Sequence, residues 1–87
     1  MDPKTIDREL SFVSSVLLDI ETIDLPWPET NKISIIYDWD AALDRLKEIQ
    51  SEPLTAEQQA QYNQIVERIR AQKDKILVLD YTYPEID

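Results

Sequence analysis

Carboxylates are the side chains of this chain with the clearest chemical potential. Asp38, Asp40, Asp44 and Glu48 lie close together, and the last three are separated by four residues each. On a helix this spacing places them on one face, where they would suit a Ca²⁺ or Mg²⁺ site or an acid/base pair. Calcium-binding loops also need a glycine turn, and the chain has no glycine. We therefore expect a solvent-facing acidic helix without a metal site.

The residue types that the chain lacks exclude several classes of catalytic and nucleotide-binding site. The chain contains no cysteine and no histidine, which excludes thiolate nucleophiles and removes the commonest general base and transition-metal ligand. Without glycine there are no Gly-rich phosphate loops. Glycoside hydrolysis by paired carboxylates needs a cleft, for which a small helical core leaves little room. We expect no enzymatic activity and no cofactor.

The charge balance indicates which partners are compatible with the chain. Eighteen acidic and nine basic side chains give a net charge of −9, which repels nucleic acid and anionic membranes. The longest uncharged apolar run, residues 12–18, is far shorter than a membrane span. We expect a soluble, cytoplasmic protein that binds neither nucleic acid nor membrane directly.

Apolar periodicity predicts a first helix over residues 3–22. Asp2 is a plausible N-cap and Pro3 suits the first helical position. The core-facing residues then recur at spacings of four and three, at Ile6, Leu10, Val13, Leu17 and Ile20. Phe12, Val16 and Ile23 widen this apolar stripe, so we expect the helix to contact more than one neighbour.

The rest of the chain predicts a helical hairpin packed on the first helix. Pro26 and Pro28 interrupt helix formation, and residues 24–37 are interpreted as a long connection. Asp38 is a suitable N-cap for a second helix over about 38–50. Thr55 and Gln58 have the spacing of a capping box that opens a third helix, over about 55–77. The prediction is a single all-α domain, residues 1–87, with three helices.

A fold with both helices and strands is the alternative. Ile33, Ile35, Ile36 and Tyr37 have strand-like composition, and residues 76–83 end in an alternation of apolar and polar side chains. A short antiparallel strand pair, 33–37 with 76–83, would then lie against the helices. Residues from about 80 to 87 are expected to form an extended tail in either case.

Two segments offer candidate contacts with a partner protein. Trp27, between two prolines, is either an exposed anchor or a cap on the open end of the core. In the tail, we expect Leu79 and Tyr81 to dock on the domain and the end of the chain to be freer. The candidate partner-binding residues are Trp27, Glu29, Asp38, Asp40, Tyr83, Pro84 and Ile86.

Three functional hypotheses follow from these features. The first is a small acidic protein that binds another protein with a basic surface, as an adaptor, regulator or inhibitor. The acids Asp19, Glu21 and Asp24 support it, because they stand at the end of the first helix, where the helix dipole disfavours negative charge. The second is a nucleic-acid mimic that blocks a DNA- or RNA-binding protein. The third is a self-associating subunit, such as a homodimer, in which a second copy covers the wide stripe of the first helix.

Overall fold

The computed structural model describes residues 1–79 and 83–84, apart from the side chain of Asn31. Within these residues the chain forms four helices and no strand: α1 (Pro3–Thr22), α2 (Glu29–Gln50), α3 (Ala56–Ala71) and α4 (Lys73–Val78). The all-α prediction is confirmed. The alternative strand pair is wrong, because residues 33–37 lie inside α2 and residues 76–78 inside α4. Residues 80–82 lie outside the described part of the chain.

Helix α1 matches its predicted bounds. The Asp2 carboxylate accepts a hydrogen bond from the backbone N–H of Lys4, and Pro3 occupies the first turn. The predicted stripe is buried, together with Val16. Phe12 and Ile23, which widen the stripe, are half-buried against the core.

Helix α2 begins nine residues earlier than predicted. Pro28 is its N-cap, without a side-chain capping bond, and Asp38 is an exposed residue in the helix interior. Thus the predicted connection 24–37 shrinks to a short loop, residues 23–28. The β-branched run is helical because Ile35 is buried in the core, and tertiary packing overrides weak intrinsic propensity.

The predicted third helix is divided in two. Thr55 and Gln58 form the predicted capping box, in which each side chain accepts a hydrogen bond from the other residue's backbone N–H. Gln72 interrupts the helix as a single turn residue, and α4 continues to Val78. Leu79 follows α4 and is fully buried, as expected for the part of the chain that docks on the domain.

Helix α1 is the central element of the domain. It contacts α2 and α3 more extensively than those two contact each other. Arg45 of α2 forms an ion pair with Glu9, whereas Asp19 and Asp38 border the same groove, so α1 and α2 are antiparallel. Along α3, Gln58 contacts the start of α1 and Arg68 its second half, so α1 and α3 are parallel.

Gln58 gives a test of how α3 is attached to α1. Its side-chain amide donates to the carbonyl of Pro3 and to the carboxylate of Asp7, at 3.1 and 3.0 Å, while its oxygen completes the capping box. We predict that Gln58→Ala lowers the free energy of unfolding by about 1–3 kcal/mol, the range for losing a cap and buried hydrogen bonds. Exposed Gln61 is the matched control. Chemical denaturation that shows equal effects for Gln58→Ala and Gln61→Ala would contradict this role.

Candidate protein-binding surface

The outward face of α2 combines apolar and acidic side chains. Ile33 and Tyr37 lie one turn apart and are 67% and 71% exposed. Acids continue the same line along the helix: Glu29 one turn before, and Asp40 and Asp44 after the pair, all exposed. These five residues, Glu29, Ile33, Tyr37, Asp40 and Asp44, are separated by four, four, three and four positions, the spacing of one helix face. We call them the α2 outer stripe.

A groove runs beside the stripe, where the end of α1 meets the first half of α2. We call it the α1–α2 groove. Ile35 is buried and Ile23 half-buried at its base, and its exposed lining residues are Asp19, Thr22, Ser34 and Asp38. Its volume is about 330 Å³. The groove therefore has an apolar base and two carboxylates at its opening, one on each helix.

The acids of this region lack basic partners inside the described part of the chain. In the described part of the chain, the acids that form ion pairs are Glu9, Glu21, Glu52 and Glu67. Asp19, Asp38 and the acids of the α2 outer stripe take part in none of them. Their charge is therefore not offset by a contacting base and remains available to an approaching cation.

Glu21 at the end of α1 forms an ion pair with Arg68 of α3, which the sequence did not indicate. Its carboxylate accepts hydrogen bonds from Arg68 Nε and Nη2 at 3.1 and 2.7 Å, and Arg68 also donates to the hydroxyl and carbonyl oxygens of Ser14. The bidentate contact with Arg68 lowers the pKa of Glu21 and raises that of Arg68. Of the three acids at the end of α1, Glu21 thus joins α1 to α3, whereas Asp19 and Asp24 are exposed.

Trp27 is not an exposed anchor. Its side chain is only 7% exposed and belongs to the core cluster. The indole N–H donates to the backbone carbonyl of Lys75 at 3.2 Å, and the Lys75 ammonium lies 5.9 Å from the ring centroid. The loop therefore folds back so that Trp27 covers the core beside α4, which is the other arrangement considered from sequence.

Of the candidate residues predicted in the tail, Tyr83 and Pro84 belong to the part of the chain that the structure describes. Tyr83 and Pro84 are half-buried, and Tyr83 packs against the core with the Lys73 ammonium 4.9 Å from its ring centroid. Tyr83 is thus packed on the domain, with its ring near the start of α4. Tyr81 and Ile86 lie outside the described residues.

The predicted acidic face is present, but at the middle of a longer helix. Asp38, Asp40, Asp44 and Glu48 are all exposed on α2. Asp38 lies on the side toward α1, whereas Glu29 and Asp40 belong to the α2 outer stripe. Across residues 1–79 and 83–84, no group of three or more acids has the arrangement of a metal site.

Sequence reasoning missed Ile33 and Tyr37 as surface residues. It assigned them to a connection or a strand, because β-branched and aromatic residues are typical of strands. The available signal was the spacing of four from Glu29 through Ile33 to Tyr37, which is helical. That signal was obscured by Pro28, which was treated as the interior of a loop although proline is tolerated at the start of a helix.

The comparisons with known proteins identify no relative. No family model matches the chain, and neither a curated protein nor a solved structure matches it. None of the helices in the described residues combines the length and the apolar character needed to cross a membrane.

The Glu21–Arg68 pair predicts a dependence of stability on pH. The folded-state pKa of Glu21 is lowered, so its contribution is fully present above the unfolded-state pKa of about 4.3 and is lost as the pH falls through the folded-state pKa. Glu21→Gln should therefore be less stable than the wild type at neutral pH, with the difference shrinking in acid. The control is the same substitution at Glu67, which forms an exposed ion pair with Arg70. Urea titrations are made at several pH values from neutral to acid. If the difference in stability between Glu21→Gln and the wild type is the same at all of them, the prediction is contradicted.

The position of Trp27 predicts a role in stability. Trp27→Ala should lower the free energy of unfolding by about 3–5 kcal/mol, because it removes a large buried side chain and a hydrogen bond. Tyr37→Ala, which truncates an exposed aromatic residue, should change it by less than about 0.5 kcal/mol. Thermal and urea unfolding of the two variants measures the contrast. Equal stability of both variants would show that Trp27 is not part of the core.

Proposed function

We propose that this protein is a non-enzymatic protein-binding module, and that its contact surface is the α2 outer stripe. The observation that carries the proposal is the exposure of Ile33 and Tyr37, side by side on a helix and bordered by acids. Single exposed apolar residues are common on soluble proteins. An adjacent apolar pair with a polar surround has the anatomy of a small interface core and its rim.

The helical setting of this pair favours binding. Both residues lie inside a helix of 22 residues that is fixed by the core through Ile35, Trp39, Ala42 and Leu46. The backbone beneath the pair is therefore already ordered. Little conformational entropy remains to be lost there when a partner covers it.

The charge of the region indicates a partner with a basic surface. The acids of the α2 outer stripe and of the α1–α2 groove have no basic partner among the described residues. Bringing a basic surface to them would speed encounter and disfavour acidic competitors. The role is that of an adaptor, regulator or inhibitor acting on such a protein.

Nucleic-acid mimicry is the second candidate, and one observation favours it. Asp40, Asp44 and Glu48 form a row of exposed carboxylates spaced by one helical turn, about 6 Å apart along the axis. Ile33 and Tyr37 argue for the first candidate, because apolar side chains contribute nothing to imitating phosphates. Self-association was proposed because the apolar stripe of α1 is wide. Within the single chain Val16 is already buried and Phe12 and Ile23 are half-buried, so no second copy is needed to cover the stripe.

Replacement of Tyr37 by the photocrosslinking residue p-benzoylphenylalanine tests the surface directly. We expect irradiation to attach a specific partner from this position, and none from the same residue at Ser15, which is exposed on α1. The captured protein is then produced and titrated by calorimetry. Ile33→Ala with Tyr37→Ala should weaken its affinity by at least about tenfold, as expected for hot-spot residues.

A matched pair of substitutions controls for the loss of apolar area. Leu18→Ala with Leu77→Ala also truncates two exposed apolar residues, but these lie on α1 and α4 rather than on α2, so affinity should be unchanged. If both double variants bind the partner as the wild type does, the α2 outer stripe is not the contact surface.

Ionic strength separates the two candidates. An interface centred on Ile33 and Tyr37 should lose less than about tenfold in affinity between 50 and 200 mM salt, because apolar burial is not screened. A mimic that replaces phosphates should lose on the order of a thousandfold or more over this range. The steep loss, together with displacement of the protein by duplex DNA or RNA, would favour mimicry.

A further inference from the structure

We infer that the element bound by the α2 outer stripe is a basic amphipathic α-helix of the partner. The inference rests on the proposed function and specifies its partner. The stripe extends along α2 from Glu29 to Asp44, and these fifteen steps of the helix correspond to about 22 Å. A helix of four turns laid along α2 would match this length.

Backbone hydrogen bonding favours a helix over an extended peptide. Within α2 the main-chain groups are bonded to one another along the helix, so its side offers few partners for the backbone of an extended peptide. Peptides that bind as strands normally pair with an open sheet edge, and the described part of this chain has no strand. A helix arrives with its own backbone groups already paired.

The order of residues along the stripe specifies the partner's side chains. Acid, apolar, apolar, acid and acid follow one another from Glu29 to Asp44. The complementary helix carries two apolar residues at its centre and basic residues on both sides. Packed at the usual interaxial distance of about 8–10 Å, its apolar pair covers Ile33 and Tyr37.

The α1–α2 groove gives a place for one long basic side chain at the edge of this contact. Lysine and arginine bury their aliphatic stems on apolar surface and keep the charged end among polar groups. In the groove, Ile23 and Ile35 would contact the stem, and Asp19 and Asp38 the charge. A second copy of this chain does not fit, because two antiparallel α2 helices would oppose Glu29 to Asp44, acid against acid.

Three synthetic peptides test the inference against the full-length chain by fluorescence anisotropy. The first is helical and carries Lys, Leu, Leu, Arg and Arg at spacings of four, four, three and four on an alanine and glutamine background. The second has the same composition with the spacing scrambled. The third is the first peptide with a central proline that prevents the helix. We expect the first to bind at least tenfold more tightly than the other two.

Variants of the protein connect the binding to the stripe and the groove. Ile33→Ala with Tyr37→Ala should weaken the first peptide at least tenfold, and Asp19→Asn with Asp38→Asn several-fold. Leu18→Ala with Leu77→Ala should have no effect. All substituted positions are exposed, and thermal melting confirms that each variant remains folded.

The other outcomes overturn the inference in distinguishable ways. Equal binding of the scrambled peptide would mean that charge alone acts, and equal binding of the proline peptide would exclude a helix. If the first peptide fails to bind but position 37 captures a partner that depends on Ile33 and Tyr37, the helical partner is wrong and the proposed function stands. If that dependence is also absent, both are wrong.

Discussion

Burial of one face of α1 is the constraint on which the rest of the structure depends. Its buried residues are Ile6, Leu10, Val13, Val16, Leu17 and Ile20, and both α2 and α3 pack on this helix. An isolated helix of ordinary length is only marginally stable in water. Each of the other helices is therefore stabilised chiefly by its contacts in the core around α1, and a change that tilts or shifts α1 alters the whole domain.

Polar contacts on both sides of α1 fix how the neighbouring helices are placed along it. On the side toward α3, Gln58 contacts Asp7 near the beginning and Arg68 contacts Ser14 and Glu21 farther along. On the side toward α2, Arg45 pairs with Glu9. Apolar contacts are weakly directional, whereas these bonds require particular atoms to meet. They select one register from the several that a helical core would tolerate.

The register of α2 has a direct consequence for the surface. With Ile35, Trp39, Ala42 and Leu46 turned inward, the residues half a turn away must face outward. The stripe and the groove are thus set by core packing that α1 organises. A rotation of α2 about its axis would bury Tyr37 and expose Trp39.

The sequence was most informative where local signals and packing agree. Asp2 with Pro3, and Thr55 with Gln58, form caps with distinct chemistry, and the helices that they open were predicted correctly at their starts. The start of α2 was not, because Pro28 caps it without a side-chain bond while Asp38, inside the helix, has the chemistry of a cap. The spacing of Glu29, Ile33 and Tyr37 was the one sequence signal for the earlier start. The burial of Ile35 in the core decides between the two starts, and a single sequence does not contain that contact.

The same error explains why the candidate surface was only partly predicted. Glu29, Asp38 and Asp40 were selected for their charge, which is visible without a fold. Ile33 and Tyr37 can be identified as an exposed pair only when the segment is known to be helical and its buried face is assigned. Trp27 was offered as an anchor because large aromatic residues serve both cores and interfaces, and only the hydrogen bond to Lys75 and its burial distinguish the two uses.

Local helix stability does not account for the α2 outer stripe. Isoleucine and tyrosine are weaker helix formers than alanine by several tenths of a kcal/mol at exposed positions, and aspartate inside a helix is also unfavourable. Core packing does not require them either, since all five residues face solvent. Positions at which sequence departs from local stability without a gain in packing are where function is expected. On α2 these positions are Ile33, Tyr37, Asp40 and Asp44, and they form one continuous line of exposed residues. Glu29 extends the line at the first turn, where the helix dipole favours an acid. The common property of the four is that each is available to a second molecule.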